Sequence, residues 1–451
     1  MRALLELKDV NPNTTDKGGR TPLSWAVSSG NVEVVRMLLE RNDVNPDTAD
    51  KSGRTPLSWA AQDCFWGQSV EMLLERNDVN PDSVDKGGRT PLSWAAESQG
   101  QETVEMLLEL NDVNPDSADK SGRTPLSWAA EGESKEIVDM LLERNDVNPD
   151  SVDKGGRTPL SWAAGSQRQE TVEMLLELND VNPDSADKSG RTPLSWAAEG
   201  ESKEIVDMLL ERNDVNPDSV DKSGRTPLLW AAGSEEERIM EMLLELNGVN
   251  SESVDKSGRT PLSWAAGSGK ERVVGMLLER NGVNPDSADK SGRTPLSWAT
   301  ENGHGKIVRM LLDWRDAHPD MRDQGGLAPF SSGIGSGREE IVDMLSDQNN
   351  TSHGTADDIG QPLFPSATML WPEEIGDVLS ERSNANPNAA YESVQTPFPW
   401  HTEYDFAEVA QGEDGWHDLD AILRLREEFP DPFAADPSPP LEPPLKKIRR
   451  L

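Results

Sequence analysis

The string Thr-Pro-Leu recurs nine times, starting at Thr21, Thr55, Thr90, Thr124, Thr158, Thr192, Thr226, Thr260 and Thr294. The intervals are 34, then 35, then six of 34 residues. A chain that repeats itself at this period is built from small units that cannot bury their own apolar faces. Such units must stack on their neighbours. The period therefore excludes one large globular core, and a hydrophobic share of only 34% agrees. A worn tenth copy, Leu327-Ala328-Pro329-Phe330, follows in register.

One unit can be read residue by residue. Asp119 to Arg123 is a turn signal, with glycine free to take a positive φ. Thr124-Pro125 starts a helix, because threonine caps well and proline is preorganised at the first helical position. Leu126, Trp128, Ala129 and Ala130 continue it, and Gly132 to Ser134 break it. A second helix is expected over Lys135 to Arg144, with Ile137, Val138, Leu141 and Leu142 as its apolar stripe. Asn145-Asp146 ends it, and Val147 to Asp150 leads into the next turn. The fold class that follows is an all-α repeat solenoid of helix-turn-helix units.

Nine tryptophans, Trp25 through Trp298, hold one place in successive units. An aromatic so placed reads as core that holds the stack together. Its burial would contribute roughly 4–6 kcal/mol each as an upper bound.

Residues 119–152 and 187–220 are identical, and 85–118 nearly match 153–186, which suggests duplication of a two-unit block. Differences between units concentrate between the first helix and the start of the second: Val27 to Glu33, Gln62 to Ser69, Glu97 to Glu102, Gly233 to Arg238 and Gly267 to Arg272. Two readings stand, a surface where recognition is tuned and drift in a tolerant loop. On the first, Gln99 and Gln167 are candidate partner-binding residues. So are Phe65 and Trp66, bulky groups in the Cys64-Phe65-Trp66 insertion, which either anchor a partner or fold back on the stack.

At these motifs the chain resembles ankyrin repeats. The family's turn followed by Thr-Pro-Leu-His-x-Ala is here Thr-Pro-Leu-Ser-Trp-Ala, and a Gly-His pair survives at Gly303-His304. The resemblance covers about residues 1–348. Serine replaces the family histidine at Ser24, Ser58, Ser93, Ser127, Ser161, Ser195, Ser263 and Ser297, and leucine does so at Leu229. That histidine braces the turn in the family, so the bracing here must differ, and the hairpin looks longer than the family's. The resemblance implies hairpin-like turns and first helices lining a concave, preorganised face that binds other proteins. Lys51, Lys86 and Lys120 would stand at its hairpin tips. The variant motif is similar to repeats of filamentous fungi found at the end of large NACHT-type sensors.

The organisation expected is a partial unit over 1–15, nine units over 16–322 and a degenerate capping unit over 323–347. An acidic, proline-rich, mostly disordered tail then fills 348–451. The chain starts inside a unit, so the natural protein is expected to be longer, or to be a truncated copy of a longer relative. Between 351 and 451 nineteen Asp/Glu face seven Lys/Arg. Trp371 to Arg382 and Glu413 to Phe429 could be helices that enter a partner's groove or fold onto the repeats. Lys446, Lys447, Arg449 and Arg450 form a short basic cluster that resembles a nuclear import signal.

Chemistry is sparse. The five histidines show no metal-ligand spacing, and the serines before tryptophan lack a nucleophile elbow. No enzyme, cofactor or metal is expected. The single cysteine, Cys64, fits a reducing compartment; the N-terminus does not read as a signal peptide, and no apolar run is of membrane-spanning length. A formal charge of −38 disfavours bare nucleic acid and anionic membranes, and favours basic or mixed-charge partners. The expectation is an intracellular, monomeric protein-binding scaffold, cytoplasmic or, if the basic cluster works, nuclear. Its rivals are the recognition arm of a larger sensor and a nuclear transcriptional cofactor.

Overall fold

Each unit starts its first helix at the proline that the sequence marks. In the computed structural model Thr21 is extended (φ −82°, ψ 166°), its Oγ1 accepts from the Ser24 backbone N–H, and Pro22 opens the helix. The structure describes residues 11–345 except 64–66, 235, 247, 315–317, 319–320, 330–332, 334–337, 339 and 343. The chain divides into two units, 1–366 and 367–451, and every described residue lies in the first.

Numbering the repeats from their turn aspartates gives repeat 1 at 16–49, repeat 2 at 50–84 and repeat 3 at 85–118. Repeats 4 to 9 then start at Asp119, Asp153, Asp187, Asp221, Asp255 and Asp289. The described residues hold eighteen helices, two per repeat, and no strand. Repeat 4 is representative, with helices Pro125–Glu131 and Lys135–Leu142. The second helix stops two residues short of expectation. Arg144 falls in the closing turn, where its guanidinium reaches the Leu108 carbonyl of repeat 3 at 2.9 Å and Asp146 beside it.

Ile137, Val138 and Leu141 are fully buried as expected, but Leu142 is only part-buried. Their neighbours in the core are the leucine and alanines of the first helices, such as Leu126, Ala129 and Ala130. Small alanines let successive first helices approach closely, and except between repeats 7 and 8 these pack on each other more extensively than successive second helices do. The core therefore runs along the stack as two apolar clusters, Leu23 to Leu141 and Ala130 to Leu345, which meet in repeat 4, where the part-buried Leu142 packs against both.

Loops leaving the second helices are stitched from repeat to repeat. Asp47 accepts the Asn80 backbone N–H at 2.7 Å, and Asp82 and Asp150 take those of Asn114 and Asn182 at 2.9 and 2.8 Å. Of the degenerate repeat, the turn from Asp323 to Leu327 is formed, and Ile341, Val342 and Leu345 are buried. The expected tail helices, Phe65, Trp66 and the basic cluster Lys446, Lys447, Arg449 and Arg450 lie outside the described residues.

Candidate functional site

The turns that precede the first helices are tied by one aspartate each. In repeat 2 the Asp50 N–H donates to the Arg54 carbonyl at 2.9 Å. Asp50 Oδ1 accepts from the backbone N–H groups of Ser52 and Arg54, at 2.8 and 3.0 Å. Its other oxygen accepts from Trp59 Nε1 at 3.1 Å. Gly53 has φ 84°, and a Cβ there would lie 2.7 Å from the Lys86 nitrogen. Glycine thus lets the next turn come close enough for Lys86 N–H to donate to the Ser52 carbonyl at 2.8 Å. The same backbone bond recurs down to Gln324 N–H and the Ser291 carbonyl. One aspartate therefore closes the turn and, in every repeat but the sixth, where Trp196 Nε1 is buried without a partner among the described residues, also holds the tryptophan indole.

The tryptophans are not core, which corrects the expectation drawn from their periodicity. Trp25 is 50% exposed, and the eight that follow are part-buried beside the hydrophobic band. Each stacks against arginine instead. The Arg54 guanidinium carbon lies 3.8 Å from the Trp59 ring centroid of its own repeat and 3.9 Å from that of Trp94 in the next. Arg123 repeats this at 3.5 Å from Trp128 and 3.9 Å from Trp162. The alternation runs unbroken from Trp25 to Arg293. Cation–π contacts of this kind are worth ~0.5–2 kcal/mol each. The signal that could have found the column was present: an arginine stands five residues before each of the nine tryptophans.

Serine in the histidine position completes the bracing. Ser58 is fully buried, its hydroxyl 3.2 Å from Thr55 Oγ1, and its carbonyl accepts from the Arg54 guanidinium at 3.1 Å. Some arginines gain a further clamp from the end of the first helix. Arg89 pairs with Glu97 at 2.8 Å, Arg123 with Glu131 at 2.6 Å, Arg293 with Glu301 at 3.0 Å, and Arg191 with Glu199. Gln62 and Gly165 stand there in repeats 2 and 5. Burial pushes the Arg54 and Arg157 guanidinium groups down to about 10, with the turn aspartates of their own and the next repeat opposing it.

Lys51, Lys86 and Lys120 are exposed at the hairpin tips, as are Lys154, Lys188, Lys222, Lys256 and Lys290 in the later repeats. Each contributes its backbone N–H to the bond with the preceding turn. Gln99 and Gln167 lie apart from that row, exposed in the loops between the helices of repeats 3 and 5. They share an unusual backbone, with φ of 61° and 60°. Gly30, Gly269 and Gly303 hold that place in repeats 1, 8 and 9. Gln167 Nε2 also donates to the Gly200 carbonyl at 2.5 Å.

The hairpin face offers one exposed ammonium per repeat beside a rigid aromatic–guanidinium column. Among the described residues no group of three His, Cys, Asp or Glu is placed to hold a metal ion. None of their helices is long and apolar enough to cross a membrane. A comparison with curated proteins finds no match. The family model described as ankyrin repeats in three copies matches in overlapping placements, from residues 1–82 to 277–357. A 34-residue turn-helix-helix unit, stacked nine times and matched over that span, makes the chain a member of the ankyrin-repeat family.

Proposed function

We propose that this chain is a protein–protein interaction scaffold that binds its partner through the face built from hairpins and first helices, the concave face of the array. Ankyrin repeats are protein–protein interaction modules in general, and the family is typically non-enzymatic. The observation that carries the choice of face is the chained row of turns, each presenting an exposed lysine over the Arg–Trp column. Closer packing among first helices than among second helices, except between repeats 7 and 8, supports curvature toward that side. A surface already braced loses little conformational entropy on binding, so modest contacts suffice.

The partner is of mixed charge. Its basic regions are drawn by the chain's excess of acid, a formal −38, while its docking element meets the lysine row. Lysine-directed crosslinking of the full chain with its bound proteins, read by mass spectrometry, tests the face. Crosslinks to partners are expected at Lys86, Lys120, Lys154 and Lys188 and to be scarce at the equally exposed Lys135 and Lys203 of the second helices. The reverse distribution would move binding to the other side of the array.

A further inference from the structure

Repeat 7 breaks the pattern of the column at one residue. Leu229 stands where every other repeat has serine, and the Thr226 hydroxyl turns instead to Ser253 Oγ at 3.2 Å. Gly233 occupies the place from which Glu97, Glu131, Glu199 and Glu301 clamp their arginines. Among the described residues the Arg225 guanidinium has neither an ion pair nor a hydrogen bond, a condition no other arginine of the column shares. Its carbon lies 4.4 and 4.3 Å from the Trp230 and Trp264 centroids, farther than in the other interior repeats.

The Arg225 Nε is buried and unpartnered, while the Nη nitrogens reach the surface. The Trp230 ring on which Arg225 stacks also lines a groove of about 550 Å³, together with Ser189, Arg191, Asp221, Lys222, Ser223 and Lys256; Arg225 itself is not in that lining. The Asp221 carboxylate is already engaged by Ser223, the Arg225 N–H and Trp230 Nε1. A guanidinium without a carboxylate partner, stacked on a ring that lines the same groove as Lys222 and Lys256, matches a carboxylate in charge and in its paired donors.

We propose that Arg225, with Lys222 and Lys256, is the anchor for an aspartate or glutamate side chain within an acidic segment of the partner protein. The inference rests on the reading of this face as the binding surface and names the chemistry that docks there. The net charge of the chain acts over a screening length of about 8 Å at physiological salt, so a short segment in the groove meets the local cations first.

The test uses the full chain and fluorescein-labelled octaglutamate, read by fluorescence anisotropy at physiological salt. Gly233→Glu is the informative variant. A Cβ there meets nothing closer than 3.9 Å, and the new carboxylate would clamp Arg225 as Glu131 clamps Arg123. Octaglutamate is expected to bind the unaltered chain, and G233E and R225Q are each expected to weaken it about tenfold or more. A change off this face, K135Q on a second helix, should shift it less than about twofold, with melting temperatures held. No binding to the unaltered chain, or binding indifferent to G233E, overturns the proposal. Equal G233E-sensitive binding of an octathymidylate overturns it too, since the site would then take any polyanion. The probe is synthetic, so its failure leaves the crosslinking test of the face standing.

Discussion

Glu133 and Glu201 occupy the same place in two repeats of identical sequence, yet only Glu201 has a positive φ, at 61°. Just before them Gly132 is extended with ψ −179°, whereas Gly200 has ψ 0°. The difference comes from the next repeat. Arg168 Nε donates to the Glu131 carbonyl at 2.9 Å, and its guanidinium pairs with Glu133 at 3.1 Å. Repeat 7 places Glu236 at the corresponding position and offers repeat 6 no such cation. In this pair of repeats the loop shape differs with the cation that the next repeat supplies.

Removing that cation should therefore restore the twin. With Arg168→Gly, the residue found at Gly100, Glu133 is expected to adopt the left-handed conformation of Glu201. Backbone chemical shifts or a crystal structure of the variant would show it. An unchanged extended Gly132 would mean that Arg168 follows the loop rather than shaping it.

The tryptophan column makes a second prediction, at Trp162 between Arg123 and Arg157. Trp162→Ala should cost about 2–4 kcal/mol, and Trp162→Leu should recover little of it, because leucine supplies apolar area but no π face. Trp25→Ala, at the half-exposed end, should cost under about 1 kcal/mol. Urea midpoints of the three variants decide the point. Full recovery by leucine would return the tryptophans to an ordinary hydrophobic role.

The stitching aspartates give a pH dependence. Burial raises the carboxyls of Asp47, Asp82, Asp116, Asp150 and Asp184 above the ordinary value of 3.8, opposed by the N–H groups they accept from the next repeat. The folded chain then holds these protons more tightly than the unfolded chain does. Their contribution is full below pH 3.8 and is lost as pH rises through the raised values. Asp43, Asp78, Asp146 and Asp214 are lowered by hydrogen bonds from arginine, so their contribution fades only below 3.8. As pH falls from neutral toward 3.8 the raised group dominates, and melting temperature should climb. The triple variant D82N/D116N/D150N should melt higher at pH 7 and lose most of that climb.

Gln99 pays for a left-handed backbone that glycine adopts freely at Gly30 and Gly269. Gln99→Gly should stabilise repeat 3 by up to about 1 kcal/mol, strain relief exceeding the added freedom of the unfolded chain. Denaturant titration checks it. A loss of stability would mean that the Gln99 side chain makes contacts worth more than its strain.

Much of this architecture is legible in the sequence. Thr-Pro sets each first helix, the Asp-Lys-x-Gly-Arg turn sets each hairpin, and the stripe Ile137, Val138 and Leu141 finds the core face. The role of tryptophan was not, because a constant place in every repeat reveals that a residue is structural without saying which face it occupies. Only its pairing with the arginine five residues earlier carries that information. The contrast between Glu133 and Glu201 lay beyond any local reading, since their repeats are the same and their neighbours differ. Likewise Gln99 and Gln167 drew notice for their variability, while their shared backbone is visible only in three dimensions.

The hairpin face is the centre of this account, and charge reversal on it is the direct measurement. The full chain carrying K120E/K154E/K188E would be compared with one carrying K135E/K203E on the second helices, each for the proteins it retains from cells and for its melting temperature. The account predicts that the hairpin variant keeps its fold and loses the partners, while the second-helix variant keeps both. Partners retained by the hairpin variant and lost by the other would contradict it.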